Sequence, residues 1–159
     1  MTSDSRGNAD IFSRLGVARV INASGVYTDL GGSIIAPDVW EAMRESNSWY
    51  VSMPELLDAT GVTLARLVGA EAARVVPGAS AAIALGVAAC ATGMDPAKWQ
   101  QLPDMTGMPN EVVIQRRQRY KYDRCATLAG ARLVEAGDEE GTTGPQIAGL
   151  LGPRPWSPG

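Results

Sequence analysis

Apolar positions near the start of the chain come in short bursts separated by turn-forming residues. Ile11 to Leu15 is briefly amphipathic, and Val17-Ala18-Arg19-Val20-Ile21 is an apolar run bounded by Asn22 and Gly25. That run reads as a short strand or an extended arm. Gly25, Gly31 and Gly32 make the next stretch loop-like. Pro37 is placed for the first turn of a helix, with Val39, Trp40 and Met43 recurring at helical spacing through about Arg44. A second helix is predicted after Pro54, its apolar face built from Leu56, Leu57, Val62, Leu64, Leu67 and Val68, with Gly61 as a weak point. Ala73-Arg74-Val75-Val76-Pro77 then reads as a strand, Gly78-Ala79-Ser80 as a tight turn, and Ala81 to Cys90 as a buried helix, small-residue-rich on all sides, suited to packing between a sheet and another layer. A loop carrying Pro96, Pro103 and Pro109 leads to a strand at Glu111-Val112-Val113-Ile114-Gln115. Tyr122 to Ala129 is predicted as a helix closed by Gly130, followed by a third strand, Ala131-Arg132-Leu133-Val134-Glu135. A short helical pattern runs from Gly141-Thr142-Thr143 to Leu150 and Leu151, and the proline-rich end cannot continue a central strand. Strands alternating with helices predict the α/β class, with parallel βαβ units and right-handed crossovers.

Composition narrows the functions open to such a chain. Its 159 residues suit one domain or part of a larger one, and 45% hydrophobic with 19% charged residues is too apolar for general disorder. A net charge of −3 gives no broad positive field for nucleic acid, so nucleic-acid binding is not expected. There is no histidine, and Cys90 and Cys125 lie in no metal-ligand spacing, which excludes zinc sites and histidine triads. Cys90 sits in an apolar run and is expected to be a buried free thiol, as suits a reducing cytoplasm. The polar start lacks a secretory layout, and the longest apolar stretch, Ala79 to Ala91, is too short to span a bilayer. Without a signal peptide, the sequon at Asn22-Ala23-Ser24 is incidental.

Two places are candidates for chemistry. Gly78-Ala79-Ser80 stands where a strand hands over to a helix, so free backbone N–H groups and the positive end of the helix dipole are available to a phosphate. Small residues also serve at such turns merely to permit tight packing. The second place is the basic cluster of Arg116, Arg117, Arg119, Lys121 and Arg124, which follows the second strand at the carboxyl edge of a parallel sheet, where α/β proteins place ligands. It reads either as a solvated turn or as a pocket for an anion, with Arg119 the contact and Gln118, Tyr120 and Tyr122 at its border. Asp123 is read as a helix cap in preference to a catalytic group.

An ordered series of motifs adds a resemblance. Val20-Ile21-Asn22-Ala23-Ser24-Gly25 and Leu30-Gly31-Gly32-Ser33 are followed by Gly69-Ala70-Glu71-Ala72-Ala73, Gly78-Ala79-Ser80-Ala81-Ala82 and Asn110 to Gln115. Tyr122-Asp123, Ala129 to Glu135 and Gly141-Thr142-Thr143 complete the set. Over residues 17 to 154 the chain resembles the amino-terminal part of the selenocysteine-synthase-like group, fold-type-I enzymes that depend on pyridoxal 5'-phosphate and include L-seryl-tRNA(Sec) selenium transferase. The resemblance implies a partial large domain with a mainly parallel sheet, preceded by an arm at residues 1–16 and followed by a disordered tail at 155–159. It implies that Gly78, Ala79 and Ser80 form the cofactor's phosphate cup, that Gln118 faces the pyridine ring, and that Arg119 meets an anionic part of the substrate. The family often has an aromatic or histidine ring at Gln118, and glutamine brings no π-system; Pro77 replaces a usual hydroxyl residue.

The resemblance also implies that the Schiff-base lysine and the aspartate of the pyridine nitrogen lie in a segment that this sequence does not include. The lysines present, Lys98 and Lys121, are outside the family's lysine context. The expectation is therefore a truncated lyase or transferase, inactive alone, with no catalytic residue assigned. The reaction expected of the intact form is α,β-elimination on a small amino acid or amino sugar acid, since the core begins without the extra domain of tRNA-acting relatives. Selenium transfer from seryl-tRNA and a non-catalytic α/β module holding a phosphate ligand are the alternatives. Partners implied are a second copy or a separately encoded carboxyl-terminal half, which would cover strand edges and apolar faces otherwise left open to self-association.

Overall fold

The computed structural model describes residues 10–151. The proline-rich end beyond residue 151, with the tail expected at 155–159, lies outside them, as does most of the arm expected at residues 1–16. The backbone divides into two compact units, Met1–Met53 and Pro54–Gly159.

In the first unit, helix α1 (Ile11–Arg14) is started by Asp10, whose carboxylate accepts from the amides of Phe12 at 2.9 Å and Ser13 at 3.1 Å. These bonds hold the Asp10 carboxyl below its usual range, the Ser13 amide acting most strongly. Val17–Ile21, read as a strand or an arm, joins no strand among the described residues; the Val17 amide donates to the Phe12 carbonyl at 2.9 Å. Asn22 instead makes a local turn, its Nδ2 donating to the Gly25 carbonyl at 2.7 Å while its Oδ1 accepts from the Ser24 amide. An antiparallel bridge, Tyr27 to Gly32, encloses the 3₁₀ turn Thr28–Leu30. Helix α2 (Pro37–Ser46) starts at Pro37 as predicted, and an ion pair of Glu41 with Arg44 lies along its exposed side.

The second unit begins with helix α3 (Met53–Val68), which buries two small residues, Gly61 and Ala65, while Leu56, Leu64 and Leu67 stay exposed. Gly61 is no weak point. A β-carbon there would stand 2.5 Å from the Ala73 carbonyl oxygen, so its absence lets the helix touch the segment that follows it. Gly61→Ala should therefore push helix and segment apart and cost about 1–3 kcal/mol despite alanine's better helix propensity. A melting temperature equal to or above that of the parent would refute this packing.

Segment 73–77 was predicted as a strand and is not one. Strand geometry needs a hydrogen-bonded neighbour, and the sheet of this unit has two strands only among the described residues. Those strands are β1 (Glu111–Gln115) and β2 (Arg132–Ala136), parallel as expected, in register from Glu111 opposite Arg132 to Gln115 opposite Ala136. Between the 73–77 segment and β1 lie helix α4 (Ala79–Thr92) and helix α5 (Pro96–Gln101). The region of α5 was read as loop because of Pro96. The proline occupies the first turn, where its missing N–H costs nothing, and the Asp95 carboxylate caps the helix by accepting from the Ala97 amide at 3.0 Å.

Tyr122–Ala129 forms a 3₁₀ segment, Asp123–Thr127, in place of the predicted α-helix. Helix α6 (Gly144–Leu150) closes the described chain; the Thr143 amide at its start donates to Gln146 Oε1 at 2.8 Å. The core of the unit is built from Ala91, Met105, Met108, Ala129 and Ala131, with Val87, Ala88, Leu102 and Val112 against it. It joins the carboxyl-terminal half of α4 to the proline-rich loop and the start of both strands. α4 itself, expected to be a buried helix, buries only Ala91 and Thr92. Among the described residues no helix is long and apolar enough to cross a membrane.

Candidate functional site

Gly78 is the residue that starts α4. Its backbone, at φ +102° and ψ 170°, is one that only glycine adopts without strain, and it turns the chain sharply between Pro77 and the helix. The Gly78 amide donates back to the Val76 carbonyl at 2.8 Å, and its carbonyl accepts from the Ala82 amide at 3.1 Å. No side chain caps the helix, so the amides of Ala79, Ser80 and Ala81 meet no acceptor among the described residues. Gly78, Ala79 and Ser80 are exposed, and a β-carbon on Gly78 would meet nothing within 4 Å. Three unpaired donors at the positive end of a 14-residue helix, with open space before them and a hydroxyl at Ser80, fit a phosphate dianion. The helix packs into the core through its carboxyl-terminal half, so this open end is the one remote from the core.

The basic cluster has a different character. It occupies the 3₁₀ turn Arg116–Gln118 and the residues after it, directly beyond β1. Arg116 Nε lies 3.0 Å from Glu139 Oε1 and 3.9 Å from Glu135 Oε2. Arg117 donates to the Glu140 carbonyl at 2.8 Å. Arg119 bridges the carboxylates of Asp123 and Glu135, tying the loop to the end of β2. Lys121 places its ammonium 5.0 Å from the Tyr122 ring centre and 5.8 Å from that of Tyr120, and the two rings meet edge to face at 5.5 Å. Gln118 is exposed at the end of the first turn.

Arg116 and Arg119 thus have carboxylate partners within the chain, whereas Arg117 and Arg124 donate to the backbone carbonyls of Glu140 and Lys121. Asp123 takes the Nε of Arg119 and Glu135 one Nη, and the side chain stays 40% exposed. The glutamates were missed as partners, yet a signal existed: parallel register places the residues after β1 beside the end of β2, which holds Glu135, and the residues after it, where Glu139 and Glu140 stand. Asp123 is not a helix cap. Its carboxylate, with 12% of the side chain exposed, is spent on Arg119.

The hydrogen bond from Arg119, with the charge of the guanidinium, holds the Asp123 carboxyl below the usual aspartate range, and Asp123 and then Glu135 raise Arg119 in return. Because the folded value of Asp123 lies below the unfolded one, its stabilising contribution is full above about pH 3.9 and fades as pH falls through the folded value. An NMR titration of the carboxyl should show a midpoint below about 3.9, moving upward in Arg119→Ala. An unmoved midpoint in that variant would break the assignment.

Cys90, expected as a buried thiol, is exposed, whereas Cys125 is buried; both are free. α4 offers a side chain to solvent at that position because little is packed over its outer face. Among the described residues no group of three or more histidine, cysteine, aspartate or glutamate side chains is arranged to hold a metal.

Comparison with known proteins gives this arrangement its context. No family model matches the chain. It is 38% identical over 146 residues to a D-glucosaminate-6-phosphate ammonia lyase of Salmonella typhimurium (strain 14028s / SGSC 2262), across 89% of this chain and 40% of that protein. It is 35% identical over 145 residues to a 5'-C-glycyluridine monooxygenase-decarboxylase of a Streptomyces species, across 88% of this chain and 36% of that protein. The solved structure of D-glucosaminate-6-phosphate ammonia-lyase superposes with a TM-score of 0.86 at 36% identity, covering 91% of this chain and 40% of that one. The mixed helix and strand fold is therefore that of a portion of the ammonia lyase. The chain spans about two-fifths of the length of the relatives it matches.

Proposed function

We propose that the chain supplies the phosphate-holding portion of a pyridoxal-phosphate-dependent lyase of fold type I, in the selenocysteine-synthase-like group, acting on an amino sugar acid by α,β-elimination. The observation that carries this is the joint sequence and structural likeness to D-glucosaminate-6-phosphate ammonia lyase. The uncapped start of α4 supports it from the physical side. Bound pyridoxal phosphate supplies an electron sink for the substrate carbon beside the amine. In this reading the first-turn amides of Ala79, Ser80 and Ala81 hold the cofactor phosphate, Ser80 adds a hydroxyl donor, and Gln118 lies toward the ring. Arg119 stays with Asp123 and Glu135 until a substrate anion competes for it.

The likeness to the monooxygenase-decarboxylase favours a second reading, in which an amino acid substrate carrying a nucleoside loses its carboxylate. Transfer to seryl-tRNA draws less support, since the net charge is −3 and the cluster's arginines are engaged within the chain.

The test is to add pyridoxal phosphate to the labelled chain and follow backbone amide shifts. Saturable shifts centred on Ala79 to Ala81, absent with pyridoxal, are expected. Shifts elsewhere, or none, would sink the phosphate assignment. Borohydride treatment followed by peptide mapping is expected to leave no specific adduct at Lys98 or Lys121, and an adduct at either would make that lysine the reactive amine.

A further inference from the structure

Arg119 stands between two carboxylates that differ in origin and in freedom. Asp123 lies four residues further along the same loop, and its own amide donates to the Tyr120 carbonyl at 3.0 Å, so local structure brings it to the guanidinium. Its side chain is 12% exposed and accepts from Arg119 Nε. Glu135 belongs to β2, is 39% exposed, and divides its two oxygens. Oε1 accepts from an Nη of Arg119, while Oε2 lies 3.9 Å from Arg116 Nε. The other N–H groups of Arg119 meet no acceptor among the described residues.

This difference decides which carboxylate gives way to a ligand. Displacing Asp123 requires the loop to unwind. Glu135 needs only to turn about its side-chain torsions toward Arg116, where it stays paired, and an ion pair this exposed contributes little. Charge narrows the ligand further. Arg116 and Arg119 face the carboxylates of Asp123, Glu135 and Glu139, so the group already carries an excess of negative charge. A phosphate dianion meets more repulsion there than an anion of single charge, and Glu135 itself shows that a carboxylate fits the position.

Resting on the reading in which Arg119 meets a substrate anion, we infer that Asp123 is a positioning residue that holds the guanidinium by its Nε, and that Glu135 is an exchangeable partner, replaced on Arg119 by a ligand carboxylate as it passes to Arg116. The site thus carries its own competitor. Glu135 limits the affinity for any anion at Arg119, and the surrounding carboxylates favour a monoanion over a dianion.

The experiment titrates the isotope-labelled 159-residue chain with D-gluconate, a sugar-acid carboxylate without amine or phosphate, and separately with inorganic phosphate. D-gluconate should saturably move the Arg119 Nη signals and the Glu135 carboxyl carbon while the Arg119 Nε–H signal stays in place. Phosphate should bind at least about threefold more weakly. Glu135→Ala should bind D-gluconate about threefold to fivefold more tightly, the scale of one exposed ion pair, and Asp123→Ala at least about threefold more weakly. Both substitutions delete a carboxylate beside the same guanidinium, so charge alone raises affinity in both; only positioning reverses the sign for Asp123. Asp123→Asn, which keeps an oxygen for Nε, should restore binding at least to the parent level, and it carries the positioning test if Asp123→Ala does not fold.

A Glu135 carbon that does not move, an Nε–H signal that moves as far as the Nη signals, no gain in Glu135→Ala, or tighter binding by Asp123→Ala would each overturn the inference, as would D-gluconate that leaves Arg119 untouched. Phosphate bound as tightly as D-gluconate would overturn the preference for a carboxylate. The assay contains no pyridoxal phosphate. Exchange at Arg119 in a chain whose Ala79 to Ala81 amides ignore the cofactor therefore overturns only the cofactor reading, and the reverse result overturns only the exchange.

Discussion

Gly130→Ala is expected to remove cooperative unfolding of the second unit or to lower its melting temperature by at least about 12 °C. Two independent costs fall on this residue. Its φ of +102° lies in the region closed to side chains without strain. Its β-carbon would also overlap the Pro103 carbonyl oxygen, and would stand 2.9 Å from the Pro103 carbonyl carbon and 3.3 Å from Met105 Cγ. The methionine can swing away; the backbone of the proline loop cannot without carrying Met105 and Met108 out of the core they share with Ala91, Ala129 and Ala131. Strain of this kind costs about 1–3 kcal/mol, and overpacking against backbone adds a similar amount. A unit of this size converts about 3 kcal/mol into a fall of 12–24 °C. Gly86→Ala is the matched control. It lies mid-helix with open space around it, so alanine there should raise stability by about 0.5–1 kcal/mol. Circular dichroism melts of the two variants check both, and a change below about 3 °C for Gly130→Ala would contradict the packing described.

The contrast between these glycines shows what the sequence could and could not convey. Periodicity located α2, α3, α4, β1 and β2 close to their observed bounds, because each is specified by its own residues. The segment that failed, residues 73–77, and Val17–Ile21, where strand and arm were both open, have equally apolar patterns but depend on a neighbouring strand, and β-structure is decided by partners that a local window does not contain. Pro96 was read as a breaker when its position after Asp95 made it a starter, a distinction that rests on one preceding residue. At the candidate site, the glycine turn and the helix start at Gly78 were legible from residue type alone. The engagement of Arg116 and Arg119 was legible only through the predicted parallel pairing of β1 with β2, which brings Glu135 and Glu139 near, and not from the cluster's own residues. The exposure of Cys90 was hidden for the same reason as the strands: burial of an apolar helix is a property of what covers it.

Ser80→Asp is expected to move stability and ligand binding in opposite directions, and that opposition separates a phosphate site from a turn that merely packs. Ser80 is the second residue of α4, where first-turn amides point outward and no acidic residue is present. A carboxylate there satisfies one or more of the unpaired amides and complements the helix dipole, so the variant should be more stable by about 0.3–1 kcal/mol. The same charge then occupies the donors that a phosphate needs and repels the dianion. Affinity for pyridoxal phosphate should fall about tenfold to a hundredfold, equal to about 1.4–2.8 kcal/mol. Ser80→Ala, which removes the hydroxyl and leaves the amides free, should lose far less, because a single neutral hydrogen bond contributes only about 0.5–1.5 kcal/mol. Melting curves read the first effect and titration with pyridoxal phosphate the second. If Ser80→Asp is stabilised yet binds the cofactor as tightly as the parent, the phosphate lies elsewhere and the uncapped turn is an element of packing. If both shifts appear together, the electrostatic character that the small residues of Gly78-Ala79-Ser80 leave open is the property that defines the site.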